Sequence, residues 1–405
     1  METSVNDASN GEINPVKFAN YLISCKDQYS VTRVSYISGF SQVDLPVAIA
    51  YRPNSKVLSQ SGGKGISQTQ ALISALMESY ECDAAEKIKP DIYEVSFKDL
   101  NNSSLSPLDP QSLPTTLMDY SHHAKIDWSE GYDLFTKKAV LIPFDAVSLD
   151  FTRMSDLSLK CFIQLTSNGL ASGQTVNSAI ISALLEIIER HSVTSAELNN
   201  STDSKEVDLH SLDDSIKQQL ISKFQPASVA VKLFYVGIFS ELPVYCSLIV
   251  DANGQGNVGW GCHLDDNIAI ARAITEANQA RTIQISGSRE DMHRYDYMML
   301  HKIDQSIKPD NSIQKRLLQY SELISLHPNS PHLSMESISD IWAKLDLPNP
   351  LVKVLSKDAH KAVVRVVVPF LHGYNYPAYK SILRHNYAEQ LSDYMTRITH
   401  RPAAI

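Results

Sequence analysis

Two stretches of this chain are copies of one another, and copies of a unit are expected to build equivalent pieces of structure. Residues 62–81, GGKGISQTQALISALMESYE, align without gaps on residues 170–189, LASGQTVNSAIISALLEIIE, and eight of the twenty positions are identical. The shared positions are Gly65/Gly173, Ala71/Ala179, Ile73/Ile181, Ser74/Ser182, Ala75/Ala183, Leu76/Leu184, Glu78/Glu186 and Glu81/Glu189. Each copy opens with a glycine-bearing turn, passes a hydroxyl residue suited to capping (Ser67 or Thr175), and runs into an Ala- and Leu-rich helix. A third, weaker copy lies at residues 269–281, AIARAITEANQAR. There Ala269, Ala273 and Glu276 fall at the same phases, and Gln279 stands where the other copies carry their second carboxylate.

Within each helix the carboxylates are three residues apart, so Glu78 with Glu81, and Glu186 with Glu189, project from one face and can share a ligand. A single such pair is ordinarily a solvated helix face. Recurrence in apolar, Ala-rich surroundings (SALMESYE, SALLEIIE) argues instead for helices packed through small residues with acids converging between them. Four converging carboxylates repel unless cations neutralise them, and Mg²⁺ prefers oxygen ligands and bridges to phosphate. The spacing points to a Mg²⁺–nucleotide site with Glu78, Glu81, Glu186 and Glu189 as metal ligands. Arg190, Arg281 and Lys64 can add positive charge for phosphates. The short SGGKG around Lys64 lacks the GxxxxGK[ST] spacing of a P-loop, so the nucleotide is held in another way.

The remaining features bound the function. With 405 residues, 43% apolar and 20% charged, the chain can bury a core. Its 45 acidic residues against 36 Lys and Arg give a formal charge of −9, which argues against nucleic acid as a partner. The N-terminus has no basic region leading into an apolar stretch, and no run approaches a spanning helix, so a cytoplasmic protein without a membrane partner is expected. Five scattered cysteines without a CxxC pair exclude a disulfide scaffold, and His122 and His123 read as a solvated loop rather than a zinc site. Cys82 and Cys262, near the acidic helices, read as small buried hydrophobes. Strand-like segments at Val47–Ala50, Val140–Pro143, Val229–Phe234, Leu248–Val250 and Val363–Val368 alternate with the helices. Arg365, interrupting VVRVVVP, reads as a residue on a solvated edge. Residues 1–27 are expected to be a flexible N-terminal segment and 99–126 a connecting one. The region at about 289–350 reads as accessory and helical, with helices over 313–325 and 335–344.

The three repeat segments in this order resemble the ATP-site segments of the YcaO family. So do their landmarks: LPVAIAYRP before the first, WSEGYDLFTKKAVLIP before the second, and VVRVVVPFL near the end. The resemblance covers roughly residues 30–375. It implies an α+β fold in which ATP and Mg²⁺ sit among acidic helices, with residues 28–405 forming one catalytic domain. By it Glu78, Glu81, Glu186 and Glu189 are Mg²⁺–phosphate ligands, and Lys64, Ser74, Gln174, Arg190 and Arg281 bind the nucleotide. Two positions depart from the family pattern: Gln174 replaces Asn in the glycine turn, still offering a carbonyl oxygen, and Ser178 replaces a further Glu. The implied chemistry is ATP-dependent O-phosphorylation of a backbone amide of a peptide or protein substrate after a nucleophile has added to its carbonyl. External sulfide gives a thioamide; a neighbouring Cys, Ser or Thr of the substrate gives an azoline. No catalytic residue in the sense of a protein nucleophile is required. The end of the chain, THRPAAI, lacks the PxPxP tail of many azoline-forming members, which favours thioamidation. With little chain ahead of the first segment, a partner is expected to present the substrate, either TfuA-like or an E1-like or docking protein, and a homodimer is compatible. The rival from another class is a non-catalytic ATP-binding accessory factor of a methylthiotransferase.

Overall fold

The computed structural model describes residues 13–114, 120–155, 163, 165–198, 205–251, 256–288, 290, 323–326 and 331–373. In chain order, β1 (Arg33–Tyr36), β2 (Val47–Tyr51) and β3 (Gln60–Lys64) make an antiparallel sheet. A second sheet begins with β4 (Ile92–Ser96), β5 (Lys125–Asp133), β6 (Ala139–Pro143) and β7 (Leu170–Gly173). The third contains β8 (Lys205–Val207), β9 (Ala230–Tyr235), β10 (Val244–Val250), β11 (Gly256–Cys262) and β12 (Leu323–Ile324), in the order β11-β10-β9-β8-β12. The chain then returns to the second sheet as β13 (Leu351–Lys357) and β14 (Ala362–Val367), giving β4-β5-β13-β14-β7 with β6 on the other flank of β5. Among the described residues the α-helices are α1 (Pro15–Cys25), α2 (Gln68–Lys87), α3 (Phe97–Asn101), α4 (Val176–Leu198), α5 (Asp214–Gln219), α6 (Asp266–Ile285) and α7 (Met335–Leu345). Helix and sheet are thus mixed, as an α+β fold requires. No described helix is long and apolar enough to cross a membrane.

The repeat is a strand-turn-helix unit built three times: β3 into α2, β7 into α4, β11 into α6. Each of these strands is the edge of its sheet. The caps fall at one phase of the repeat. Ser67 Oγ accepts from Gln70 N–H at 3.3 Å, Thr175 Oγ1 from Ser178 N–H at 3.1 Å, and Asp265 Oδ1 from Asn267 and Ile268 N–H at 2.8 and 3.3 Å. The repeated alanines are the reason the units are compact: Ala71, Ala75, Ala179, Ala183, Ala269 and Ala273 are fully buried against their own strands. Glycine completes the approach. A Cβ on Gly63 would lie 2.0 Å from the Ala71 carbonyl oxygen, and one on Gly261 the same distance from that of Ala269. Between units the packing is cyclic, with α2 resting also on β7, α4 on β11 and α6 on β3. The largest core cluster gathers around α4, from Leu184 and Ile188 to Val364 and Val366 of β14 and Trp342 of α7.

Three expectations change. Residues 15–25 of the supposedly flexible 1–27 form α1, which buries Phe18, Leu22 and Cys25 against α2. Tyr80 of α2 donates to the Leu22 carbonyl at 2.5 Å, and the buried Lys361 ammonium lies 4.7–5.4 Å from the ring centroids of Tyr21, Tyr29 and Tyr80. An apolar helix face and a cation–π contact hold this segment in place. Second, the 99–126 stretch includes the end of α3 and the start of β5 rather than connection alone. Third, the helix expected over 313–325 lies mostly outside the described residues, and its end, Leu323–Ile324, is a strand paired parallel to β8. The helix expected at 335–344 is present as α7, capped reciprocally by Ser334 and Ser337.

Candidate active site among the acidic helices

The strand-end position of each unit faces a helix of the neighbouring unit. Lys64, closing β3, pairs with Glu276 of α6. Ser172, its counterpart on β7, donates to Glu81 Oε1 at 2.6 Å. Cys262, the third counterpart, is fully buried on β11, and the Glu189 charge adds to burial in pushing its thiol upward. The cyclic packing therefore brings the carboxylates of three helices together.

Their electrostatics follow from crowding and burial. Burial raises Glu78 to about 7; the Lys64 ammonium opposes the shift, and Glu186 and Glu276 add to it. Glu81 rises to about 8 by burial, against the hydrogen bond from Ser172. Glu189, 5% exposed, rises to about 7, again by burial first and then through Glu276, with Arg272 and Lys64 opposing. Glu78 is exposed to water along a cavity of about 360 Å³, which moderates its shift, whereas Glu189 is enclosed. That cavity is acidic at one part of its wall (Glu78, Glu276, beside Gln279) and apolar at another (Ile49, Val258, Trp260, Ile283).

Mg²⁺ with nucleotide phosphate fits this donor set. Glu189 Oε2 is buried without a hydrogen-bond partner among the described residues, the state of an oxygen awaiting a cation. No three acid, imidazole or thiol groups among the described residues stand close enough to enclose one ion. Glu78 and Glu276 border the cavity without pre-forming a cage, and phosphate oxygens would complete any coordination.

The other sequence candidates sort unevenly. Arg190 pairs with Glu186 one helical turn away at 3.0 Å and donates to Ser167 Oγ at 3.3 Å, so it belongs to the acidic cluster. Ser74 is half-buried on α2, one turn before Glu78. Gln174 is engaged elsewhere: its Oε1 accepts from Ile13 N–H at 2.6 Å and its Nε2 donates to the Ile13 carbonyl at 3.3 Å. The expected carbonyl ligand is thus taken up by the segment entering α1. Arg281 donates to Ser41 Oγ at 2.9 Å, and of the residues nominated from sequence only Glu78 borders the cavity. Ser178 closes its own turn with Thr175. Arg365 is not on a solvated edge. β14 lies between β13 and β7, and the Arg365 side chain is 2% exposed, donating to the carbonyls of Ala146 at 2.8 Å and Thr166 at 2.5 Å. Sequence reasoning also passed over Ser172, although it stands at the Lys64 position of the second copy, and Arg272, whose charge opposes that of Glu189.

Residues 62–372 match the family model described as YcaO cyclodehydratase, ATP- and Mg²⁺-binding. The chain belongs to the YcaO family. Among similar proteins, an uncharacterized protein from the tfuA 3′ region of Rhizobium leguminosarum bv. trifolii is 29% identical over 285 residues, 68% of this chain and 67% of its own length. The fold is similar to that of the Methanopyrus kandleri YcaO structure bound with AMPPCP and Mg²⁺, with a TM-score of 0.70, 18% identity, and coverage of 92% of this chain and 98% of that one. A heterocyclase in complex with substrate and cofactor superposes equally well (TM-score 0.70, 17% identity, 92% of this chain), but this chain spans only 55% of its length.

Proposed function

We propose that this YcaO protein uses Mg²⁺ and ATP to O-phosphorylate a backbone amide of a peptide or protein and, with an external sulfur donor, converts it to a thioamide. The observation that carries the reading is that the charges of Glu78, Glu81, Glu186, Glu189 and Glu276 act on one another across three helices, with Lys64 paired to Glu276 and Arg190 to Glu186. Five carboxylates this close in charge, one of them buried, repel one another and are relieved by a multivalent cation between them. Bound Mg²⁺·ATP would supply the phosphoryl group and neutralise the developing charge.

The chain's own residues then position and balance. Glu78, Glu81, Glu186 and Glu189 would hold the cations, Arg190 and Lys64 would meet phosphate oxygens, and Ser172 keeps Glu81 oriented through its hydroxyl. The nucleophile comes from the sulfur donor or from the substrate, so Cys82 and Cys262, whose thiols burial keeps protonated, need take no part. The thioamide branch draws support from the relative encoded beside tfuA, and a TfuA-like protein is the proposed partner. Azoline formation is the alternative, supported by the family's cyclodehydratase description and the heterocyclase fold.

The test is phosphate release from ATP with Mg²⁺ and sulfide, with and without the TfuA-like partner and a candidate peptide, followed by the intact mass of the peptide. A gain of about 16 Da coupled to ATP use is expected, whereas a loss of about 18 Da would assign cyclodehydration through the same phosphorylated amide. Nucleotide binding without any mass change would remove the enzymatic reading.

A further inference from the structure

The loop leading into β7, residues 166–169, is fastened at successive points by charged side chains. Gly169 N–H donates to Glu186 Oε1 at 3.2 Å, and Arg190 Nη1 pairs with the same oxygen at 3.0 Å while its Nη2 reaches Ser167 Oγ. Both contacts fall on Oε1, and among the described residues Oε2 takes no hydrogen bond, which suits it to a cation. The third fastening comes from the adjacent strand. Arg365 Nη2 donates to the Thr166 carbonyl at 2.5 Å, its Nε holds the Ala146 carbonyl at 2.8 Å, and the next residue, Val366, donates its N–H to the Gly169 carbonyl at 2.8 Å. Gly169 adopts φ +73° and passes so close to β14 that a Cβ there would lie 2.1 Å from the Val366 carbonyl oxygen.

A neutral donor would serve two carbonyls equally well. Burying a full guanidinium charge is unfavourable unless an opposite charge answers it. The opposite charge that reaches Arg365 is that of Glu186, and its Nη1 is buried without a partner among the described residues. We propose that Arg365 is a positioning residue for the cation site: by bracing residues 166–169 it fixes the Glu186 carboxylate with Oε2 free for the Mg²⁺ that accompanies the nucleotide. This rests on the function proposed above and adds to it a residue that touches neither substrate nor cation.

The experiment is a Mg²⁺ titration of non-hydrolysable ATP analogue binding to the full chain, comparing wild type, Arg365→Met and Arg365→Lys, with thermal unfolding run beside it. Arg365→Met is expected to raise the Mg²⁺ concentration at half-maximal binding by about tenfold or more, as loss of a supporting group around a metal ligand does. Capacity at saturating Mg²⁺ should stay near that of wild type. Arg365→Lys, which keeps the charge but cannot fork to two carbonyls, should shift the midpoint less. A folded Arg365→Met with an unshifted Mg²⁺ midpoint overturns the proposal, because a purely structural arginine would lower the melting temperature alone. Should Arg365→Met not fold, Arg365→Lys decides, and its matching wild type also overturns it. Wild type that binds no Mg²⁺–nucleotide sinks the proposed function itself and this inference with it.

Discussion

Glu189 concentrates the conflict between stability and function, being an acid buried among acids with one oxygen unanswered. Glu189→Gln should lower Mg²⁺-dependent ATP turnover by at least about 100-fold. The same variant without ligand should melt no lower than wild type at pH 8, since it removes a charge that burial disfavours. The raised carboxylates also fix a pH dependence. Burial raises Glu81 to about 8 and Glu189 to about 7, while the unfolded chain has released these protons already, so stability falls as pH rises toward those values, with a smaller share from the exposed Glu78. His191 and His372 act oppositely and elsewhere. Burial holds them neutral down to about 3 and 4, so their contribution is lost only as pH falls below their ordinary value of 6.5. Between pH 6.5 and 8.5 only the carboxylates count, and the melting temperature of the free protein should drop across that interval, with Mg²⁺ and an ATP analogue removing most of the drop. At this scale the acid pairs were legible because they recur at one spacing. The fates of Gln174 and Arg365 were not: Gln174 is claimed by Ile13, 161 residues away, and a strand's alternation does not tell that neighbouring strands and loops bury both faces at Arg365.

The unit of strand, turn and helix was legible from capping residues and small-residue phase, and its third copy from Ala269, Ala273 and Glu276 alone. What identity scoring hid was the third cap, since Asp265 matches Ser67 and Thr175 in role and not in residue type. The alanine and glycine phases make a direct stability prediction. A methyl added at Gly63 meets backbone atoms of Ala71 and Ala75 at 2.0 and 2.3 Å, which cannot swing aside, so Gly63→Ala should lower unfolding free energy by about 1–3 kcal/mol. Gly39→Ala, where nothing lies within 4 Å, should stay within about 0.5 kcal/mol of wild type in the same urea titration. Ser67→Ala, removing one cap, falls between at about 1 kcal/mol. The N-terminal helix was misjudged because its signals are short: Pro15 at the start, a spaced Phe18 and Leu22, and a binding partner, Lys361, that lies far along the chain.

Across the whole molecule the three units close on one another, and the order of the strands decides what can be removed. β7 has one strand neighbour, β14, near the far end of the described residues. A chain stopped after residue 361 retains every acidic residue of the site but leaves β7 unpaired and Arg365 absent. It should show neither Mg²⁺-dependent analogue binding nor a single cooperative melting transition, with circular dichroism and calorimetry as the readout. Such long-range closure could not be read from the sequence, where periodicity gives strands without their partners. It also sets a timetable for the making of the protein. A ribosome that has delivered both acidic helices has not yet delivered the strand that seats one of them, so β7 waits without its partner until residues 362–367 have cleared the exit tunnel.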